Sequence, residues 1–472
     1  MFKTEELIKA SAGRLISGSR DSVFKGISID SRTIKKDEVF IAIKGSKFDG
    51  DNFIDEAVRK GAGCVVREFH PAGRRTPDVR RRTQDAGRRI VVIEVKNTIK
   101  SLGDIARFRR REFALPTIAV SGSNGKTTTK EMIAWVLSEK YKVLKNEGTQ
   151  NNHIGLPQAL LNLNPEHQLC VLELGTNHFN EIEYLAKICL PNIGVITNIG
   201  PAHLEYFGDL NGVFCEKAAL FENLQKPRIA VLNADDNYLR KGVMGKGSRN
   251  LWPMAEKPFV TGVGIERMTD FFAANIEWQS GKIKFLVNGK HKIVIDTCGR
   301  HNVYNALMAI SIARIFGIPY MDIAERLAAF DFPSGRFKVI KRNKTMFIDD
   351  TYNSNPSSFK QALDALADFK INGRKIVVMG DMLELGAGQE RLHCHAGRAA
   401  AGVCDIFITV GGLSKLAGDA ARACGMNNIF NCESSQEAGE VLFKKISPDK
   451  NDLVLVKGSR KMRMEEVFKK KA

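Results

Sequence analysis

Thr117-Ile-Ala-Val-Ser-Gly-Ser-Asn-Gly-Lys-Thr-Thr-Thr129 is the stretch that decides the fold of this 472-residue chain. Residues 117–120 have the length and β-branched content of a buried strand, and residues 127–137 carry a helical pattern. Between them lies Gly122-Ser123-Asn124-Gly125-Lys126-Thr127-Thr128. Glycines let a backbone turn so tightly that several amide N–H groups face one anion. The helix N-terminus adds partial positive charge, Lys126 a full one, and a threonine hydroxyl a ligand for Mg²⁺. The strict spacing G-x-x-x-x-G-K-[ST] is not met, because Val120 stands where its first glycine belongs, and the shorter G-x-x-G-K-T-T remains. Strand, glycine-rich turn and helix in succession predict a phosphate-binding loop.

Downstream, apolar runs recur at 170–174, 193–197 and 229–232 with helical segments between them, which predicts a parallel sheet covered by helices. Residues 285–295 read as a hairpin, with Asn288-Gly289 as a type I′ turn. Upstream, short β-like runs at 27–29, 39–43, 63–66 and 90–95 alternate with helical stretches such as 53–60, for which Asp51 and Asn52 are good caps. Residues 107–112 followed by Leu115-Pro116 read as a helix end and a linker. Beyond Ile318 the α/β style resumes at 375–379, 406–410 and 453–456. The expected architecture is α/β in three domains. These are a small N-terminal α/β domain (1–114), a central P-loop-type domain with a mostly parallel sheet (115–317), and a C-terminal Rossmann-like α/β domain (318–472).

This length suits two or three domains rather than one core. Apolar residues at 43% and charged residues at 26% are those of a globular chain, and no apolar run is long enough to span a bilayer. The start, Met1-Phe2-Lys3-Thr4-Glu5-Glu6, lacks a basic region leading into an apolar stretch, so a secretory leader is not expected and the cytoplasm is the expected location. Nine cysteines without a C-x-x-C pair argue against a disulfide framework or a structural zinc site. His393-Cys394-His395 reads as ordinary helix positions, because adjacent residues on one element point different ways. The net charge of +18 is of the kind that marks nucleic-acid binders. It is largely regional: residues 1–112 hold +10 of it, and 70–89, with seven Arg and two Asp, read as an exposed loop.

Other residues fit one nucleotide-using site. Glu173, in Leu172-Glu-Leu-Gly175, ends the apolar run after the loop. Ligands of open α/β sheets sit beyond the C-terminal strand ends, so this carboxylate can face a metal and phosphates. His203, in Gly200-Pro-Ala-His-Leu-Glu205, follows the next strand and is a candidate ligand or acid/base. Asn198 and Asn302, the latter in Gly299-Arg-His-Asn-Val-Tyr-Asn305, are candidate polar contacts. Arg336, in Ser334-Gly-Arg-Phe337, lies shortly before Ile348-Asp-Asp-Thr-Tyr-Asn-Ser-Asn-Pro356. Lys217, beside Glu216, reads by itself as a surface helix lysine.

In this order the motifs resemble the Mur ligase family, ATP-dependent amide-forming enzymes of peptidoglycan precursor synthesis, over essentially the whole chain. Asn151-Asn-His-Ile-Gly155, Glu173-Leu-Gly-Thr-Asn-His178, Asp349-Asp-Thr-Tyr-Asn-Ser-Asn-Pro356, Gly380-Asp-Met-Leu-Glu-Leu-Gly386 and Leu455-Val-Lys-Gly-Ser-Arg460 are similar to one branch. That branch joins D-alanyl-D-alanine to UDP-N-acetylmuramoyl-tripeptide. The Asp-Asn-Pro-Arg signature of the sister ligase that adds the third peptide residue is absent. Ser28-Ile-Asp-Ser-Arg32 and Phe48-Asp-Gly-Asp-Asn-Phe53 resemble the uridine-nucleotide end of these enzymes.

The resemblance implies a ligase that uses ATP and two Mg²⁺ ions and passes through an acyl phosphate; a monomer is the default expectation. It implies that Gly122, Ser123, Asn124, Gly125, Lys126, Thr127 and Thr128 hold the phosphates, with Lys126 on the β/γ-phosphates. Thr127 and Glu173 would hold one Mg²⁺, and His203 a second. Lys217 matches a position carbamylated in the family, where the added carboxylate supports that second ion. Asn302 would approach the adenine, Arg336 the γ-phosphate and Asp350 the ribose, while Ser31, Asn52, Asn151 and Asn152 are candidates for the UDP substrate.

Two other readings compete: another amide ligase of the same fold, such as the sister enzyme or a folylpolyglutamate synthetase, and a nucleic-acid-binding P-loop ATPase. The branch-specific segments argue against the first. Aromatic residues at 8%, with no aromatic-interleaved basic groove or helix-turn-helix, argue against the second, so neither nucleic acid nor a membrane span is expected. Whether the third peptide residue is L-lysine or diaminopimelate is not written in these motifs.

Overall fold

A computed structural model describes residues 1–45, 48–69, 90–244, 257–279, 281–342 and 345–469. The arginine-rich segment 70–89, expected as an exposed loop, lies outside the described residues. The first sheet runs Arg14–Ser17, Val91–Val95, Cys64–Glu68, Val39–Ile41, Ile27–Ser28, parallel except for its first pair. Helix Thr98–Arg111, capped by the Asn97 side chain on Lys100 N–H, carries the chain out of it. At its end the buried Arg110 guanidinium donates to the carbonyls of Phe113 (2.6 Å), Leu115 (2.9 Å) and Cys189 (3.0 Å). One planar cation thus ties the linker to the base of the second domain.

Among the described residues the central sheet has nine strands. Their order begins Val143–Lys145, Leu169–Glu173, Thr117–Ser121, Ile193–Ile196, Ile229–Asn233, Phe259–Gly264. These are parallel, as is the next, Phe271–Gln279. Lys282–Val287 and His291–Ile295 follow as antiparallel neighbours. Their turn has Asn288 at φ 53° and Gly289 at φ 70°, with Lys290 N–H donating to Val287 O at 3.1 Å, the expected type I′ geometry. Strand Phe271–Gln279 is invisible to alternation, because a register shift between Ala274 and Glu277, with Asn275 at φ 51°, reverses which side chains face inward.

From Thr117–Ser121 the chain skips one place to Val143–Lys145, returns to Leu169–Glu173, then crosses to the other side at Ile193–Ile196. The loops after the first, third and fourth of these strands therefore open into one crevice at the C-terminal sheet edge. Helix Lys126–Leu137 covers one face together with Arg300–Ile315; Glu181–Cys189 and Leu210–Glu222 cover the other. No helix of the described residues is long and apolar enough to cross a membrane.

Helix Tyr320–Ala328 packs on strand His291–Ile295 and buries Ile323 and Leu327 in the central core, as do Phe330 and Phe332 after it. The passage into the third sheet comes after Phe332 rather than at 317/318, since an amphipathic helix stays with the sheet that covers its apolar face. That sheet runs Lys338–Arg342, Thr345–Asp350, Leu453–Lys457, Lys375–Gly380, Ile406–Val410, Ile429–Cys432, parallel after its first pair. Helices Gln389–Ala401 and Gly412–Ala423 cross at Gly397, where a Cβ would sit 1.9 Å from the Ala417 carbonyl oxygen. Gly397→Ala is expected to destabilise the protein by about 1–3 kcal/mol, read as a lowered urea midpoint. His393 lies in the first of these helices, fully buried. Its Nδ1 meets Gln389 O at 2.7 Å and its Nε2 accepts from Met382 N–H at 2.9 Å, so it is a satisfied core histidine.

Candidate active site

The phosphate loop is shaped from beneath by residues 197–200. Gly122 sits at φ 138°, and a Cβ there would be 1.9 Å from Thr197 Oγ1, so only glycine fits. Thr197 Oγ1 donates to Asn124 O, Ser123 N–H to Asn198 O at 2.9 Å, and Asn124 N–H to Asn198 Oδ1 at 3.0 Å. Asn198, expected as a ligand contact, instead holds the loop backbone. Lys126 Nζ folds back onto Gly122 O at 2.9 Å, and burial depresses its pKa while Glu173 opposes that shift.

Thr127 Oγ1 donates to Glu173 Oε2 at 2.8 Å, and Asn151 Nδ2 to Glu173 Oε1 at 2.7 Å. An octahedral Mg²⁺ with oxygens at about 2.1 Å places neighbouring ligands roughly 3 Å apart, so this hydroxyl–carboxylate pair fits one edge of its shell. Glu173 is held by a residue that sequence reasoning passed over. The fully buried Asn146 accepts from Glu173 N–H at 2.9 Å and donates to Glu173 O at 3.0 Å, while Lys130 Nζ donates to Asn146 O at 2.6 Å. A lone loop asparagine carries no signal for this in the chain.

The expected residues divide into two groups. Lys126, Thr127, Glu173, His203, Arg336 and Asp350 line one cavity of about 390 Å³ between the central and third domains. Asn151 and Asn152 line it too, Asn152 Oδ1 also accepting from Gly155 N–H at 2.9 Å. Ser31 and Asn52 do not reach it: the Ser31 hydroxyl donates to Glu56 Oε2 at 2.7 Å, and Asn52 lies in the short 3₁₀ turn Gly50–Phe53 of the first domain. Asn302 touches the wall, yet its amide faces the protein. Nδ2 donates to Thr297 Oγ1 (3.1 Å) and Cys298 O (3.0 Å), and Oδ1 accepts from Asn305 Nδ2 (3.0 Å).

The third-domain side is built on Asp349, whose Oδ2 accepts from Gly335 N–H at 2.9 Å and fixes the loop carrying Arg336. The Arg336 guanidinium lies 3.4 Å from the Tyr352 ring centroid. Asp350 accepts from Lys457 Nζ at 2.6 Å, and burial raises its pKa against that attraction. Lys457 ends an apolar strand just as Glu173 does, so the strand-end rule applied to the last strand would have found it. His301, also on the wall, is pushed down to about 3 by burial, with Lys457 adding to the shift.

Lys217 is no surface lysine: it is 2% exposed, on helix Leu210–Glu222. Burial, helped by the charge of Lys126, lowers its pKa to about 7 against the pull of Glu216. The Glu216 carboxylate is occupied by Thr176 Oγ1 (2.9 Å), Asn180 N–H (2.7 Å) and Ile182 N–H (2.8 Å). The folded pKa of about 7 lies below the ordinary 10.5, so between those values the folded chain binds fewer protons than the unfolded one. Wild-type stability therefore rises with pH across that window, and the penalty is full below it. In CO₂-free buffer Lys217→Met is expected to melt above wild type at pH 6.5, the difference shrinking as pH approaches 10.

The chain matches three family descriptions in sequence: Mur ligase family, catalytic domain, at 23–110; Mur ligase middle domain at 120–313; and Mur ligase, glutamate ligase domain, at 335–460. It is 32% identical to UDP-N-acetylmuramoyl-tripeptide–D-alanyl-D-alanine ligase of Haemophilus influenzae, over 99% of this chain and 97% of that one. The same enzyme of Escherichia coli is 32% identical over 95% and 94%. Among solved structures, MurF from Acinetobacter baumannii superposes with a TM-score of 0.85 at 30% identity, covering 99% and 97%. MurF of Thermotoga maritima in complex with ADP gives 0.79 at 26%, covering 95% and 97%.

Proposed function

This chain belongs to the Mur ligase family, and from that premise we propose that it joins D-alanyl-D-alanine to UDP-N-acetylmuramoyl-tripeptide at the expense of ATP. The observation that carries this reading is the convergence of Lys126, Thr127, Glu173 and His203 with Arg336 and Asp350 on one interdomain cavity. The tripeptide's terminal carboxylate attacks the γ-phosphorus, forming an acyl phosphate and releasing ADP. The dipeptide amine then adds to the acyl carbon, loses a proton, and the tetrahedral adduct expels phosphate.

Carboxylate and γ-phosphate are both anions, so the first step needs concentrated positive charge. Lys126 supplies it on the β/γ-phosphates, exchanging its contact with Gly122 O for phosphate oxygens. Arg336 supplies it from the third domain, oriented by Tyr352. Thr127 and Glu173 would hold one Mg²⁺ and His203 would ligate a second, and such ions would supply further positive charge against the two anions. The neutral amine of Lys217 could add CO₂ with loss of a proton, and the resulting anionic carbamate would support the second ion. The Lys217 pKa of about 7 leaves much of the amine free at neutral pH. Asp350, held by Lys457, faces the ribose. The adenine role of Asn302 requires its amide to leave Thr297 and Cys298. Contact between domains across the cavity keeps water from the acyl phosphate. The reading takes the protein as a cytoplasmic monomer.

The test is phosphate release with ATP and Mg²⁺, each acceptor and amine supplied singly and together. Turnover is expected only with UDP-N-acetylmuramoyl-tripeptide and D-alanyl-D-alanine together. Turnover with a single amino acid and not the dipeptide overturns the substrate assignment, and stimulation by DNA or RNA alone overturns the ligase reading.

A further inference from the structure

His203 and Glu384 meet across the domain boundary. Nδ1 of the imidazole lies 2.9 Å from Glu384 Oε2, although the two residues are 181 apart in the chain. Both carry left-handed backbone, His203 at φ 53° and Glu384 at φ 63°. Non-glycine residues there are strained and persist only where the surroundings over-determine them. The surroundings are explicit on the Glu384 side. Met382 N–H is held by the buried His393 Nε2 at 2.9 Å, and Leu383 N–H by Ser459 Oγ at 2.9 Å. On the His203 side, the residue heads the short helix Leu204–Phe207, with its ring edge-on to Phe207.

We propose that Glu384 is a positioning residue for His203, delivered by the third domain, so that the imidazole is correctly oriented only when the two domains meet. A carboxylate on Nδ1 fixes that nitrogen as the N–H donor and leaves the Nε2 lone pair for whatever the cavity holds. The strained backbone at both partners aims two short reaches at each other instead of at water. This rests on the role given to His203 above. A second bridge, Asn355 Nδ2 to Asn124 Oδ1 at 2.8 Å, joins the same two domains at the phosphate loop. Domain docking therefore does not depend on Glu384 alone, and its removal disturbs orientation more than association.

The experiment uses the full chain labelled with ¹⁵N-histidine, and the His203 signals are assigned by their loss in His203→Asn. In wild type without substrates, His203 is expected as the Nδ1–H tautomer. Glu384→Ala is expected to shift it toward the tautomer mixture of a free imidazole, and Glu384→Gln, whose carbonyl still accepts from Nδ1–H, to retain it. In ligation, Glu384→Ala should lower kcat by roughly 10–100-fold with KM for ATP within about twofold. Glu384→Gln should recover most of kcat, and the melting temperatures of both should match wild type. An unchanged tautomer and kcat in Glu384→Ala overturns the proposal, as does equal loss in Ala and Gln variants accompanied by a lower melting temperature. The tautomer is read without substrates, so a wild type that fails to ligate sinks the functional reading while this contact is still decided by the spectrum.

Discussion

Lys217→Ala is expected to lower ligation on the order of 10³-fold, and acetate or formate is expected to restore part of it. The side chain is buried with a pKa near 7, and the neighbouring carboxylate of Glu216 is taken up by Thr176 and two backbone amides. An unmodified ammonium there would repel a second cation, whereas a carbamate attracts it. Truncation leaves a hole of the right size and environment for a small carboxylate, which supplies the same charge without the covalent link. The comparison is kcat with and without added anion, alongside a melt showing that the variant folds. Wild-type turnover in Lys217→Ala with no anion present removes the carbamate from the mechanism. Because burying this amine opposes folding at neutral pH, loss of activity should coincide with unchanged or raised thermal stability.

Lys126→Ala is expected to abolish detectable ligation, a loss of 10³-fold or more, without unfolding the chain. Preorganised charge at a phosphoryl group is typically worth 10²–10³ per interaction, and Lys126 is the one cation borne by the loop itself. Its structural contacts are confined to its own loop, at Gly122 O and Ser123 O, so the fold has little to lose. Single-turnover phosphate release and a urea melt separate the two effects. Retention of more than a tenth of wild-type turnover would remove Lys126 from the phosphates.

Both predictions recast the excess of positive charge. UDP-linked peptide and ATP are polyphosphates, and a cationic cleft steers them in with an advantage that falls as salt rises. The cations that matter at the cavity are few: Lys126, Arg336 and Lys457. Much of the remaining excess belongs to the first quarter of the chain.

Elements whose information is local can be read from the amino-acid order. A run of apolar β-branched residues, a glycine turn and a helix start need no distant partner to be recognised. So the phosphate loop, the expected parallel strands and the strand-end position of Glu173 were legible in advance. The Asn288-Gly289 turn was legible for the same reason. Properties conferred by neighbours far along the chain come from packing and leave no trace in local pattern. Lys217 reads as a solvated helix lysine until helix Leu210–Glu222 packs and removes its water. Asn302 reads as a free polar contact until Thr297, Cys298 and Asn305 occupy its amide. Helix Tyr320–Ala328 reads as the start of a new domain until its apolar face finds the central sheet. Nothing in the spacing of His203 and Glu384 announces that they touch. Desolvation and hydrogen-bond pairing are set by which surfaces meet, and a one-dimensional pattern records only that a surface exists.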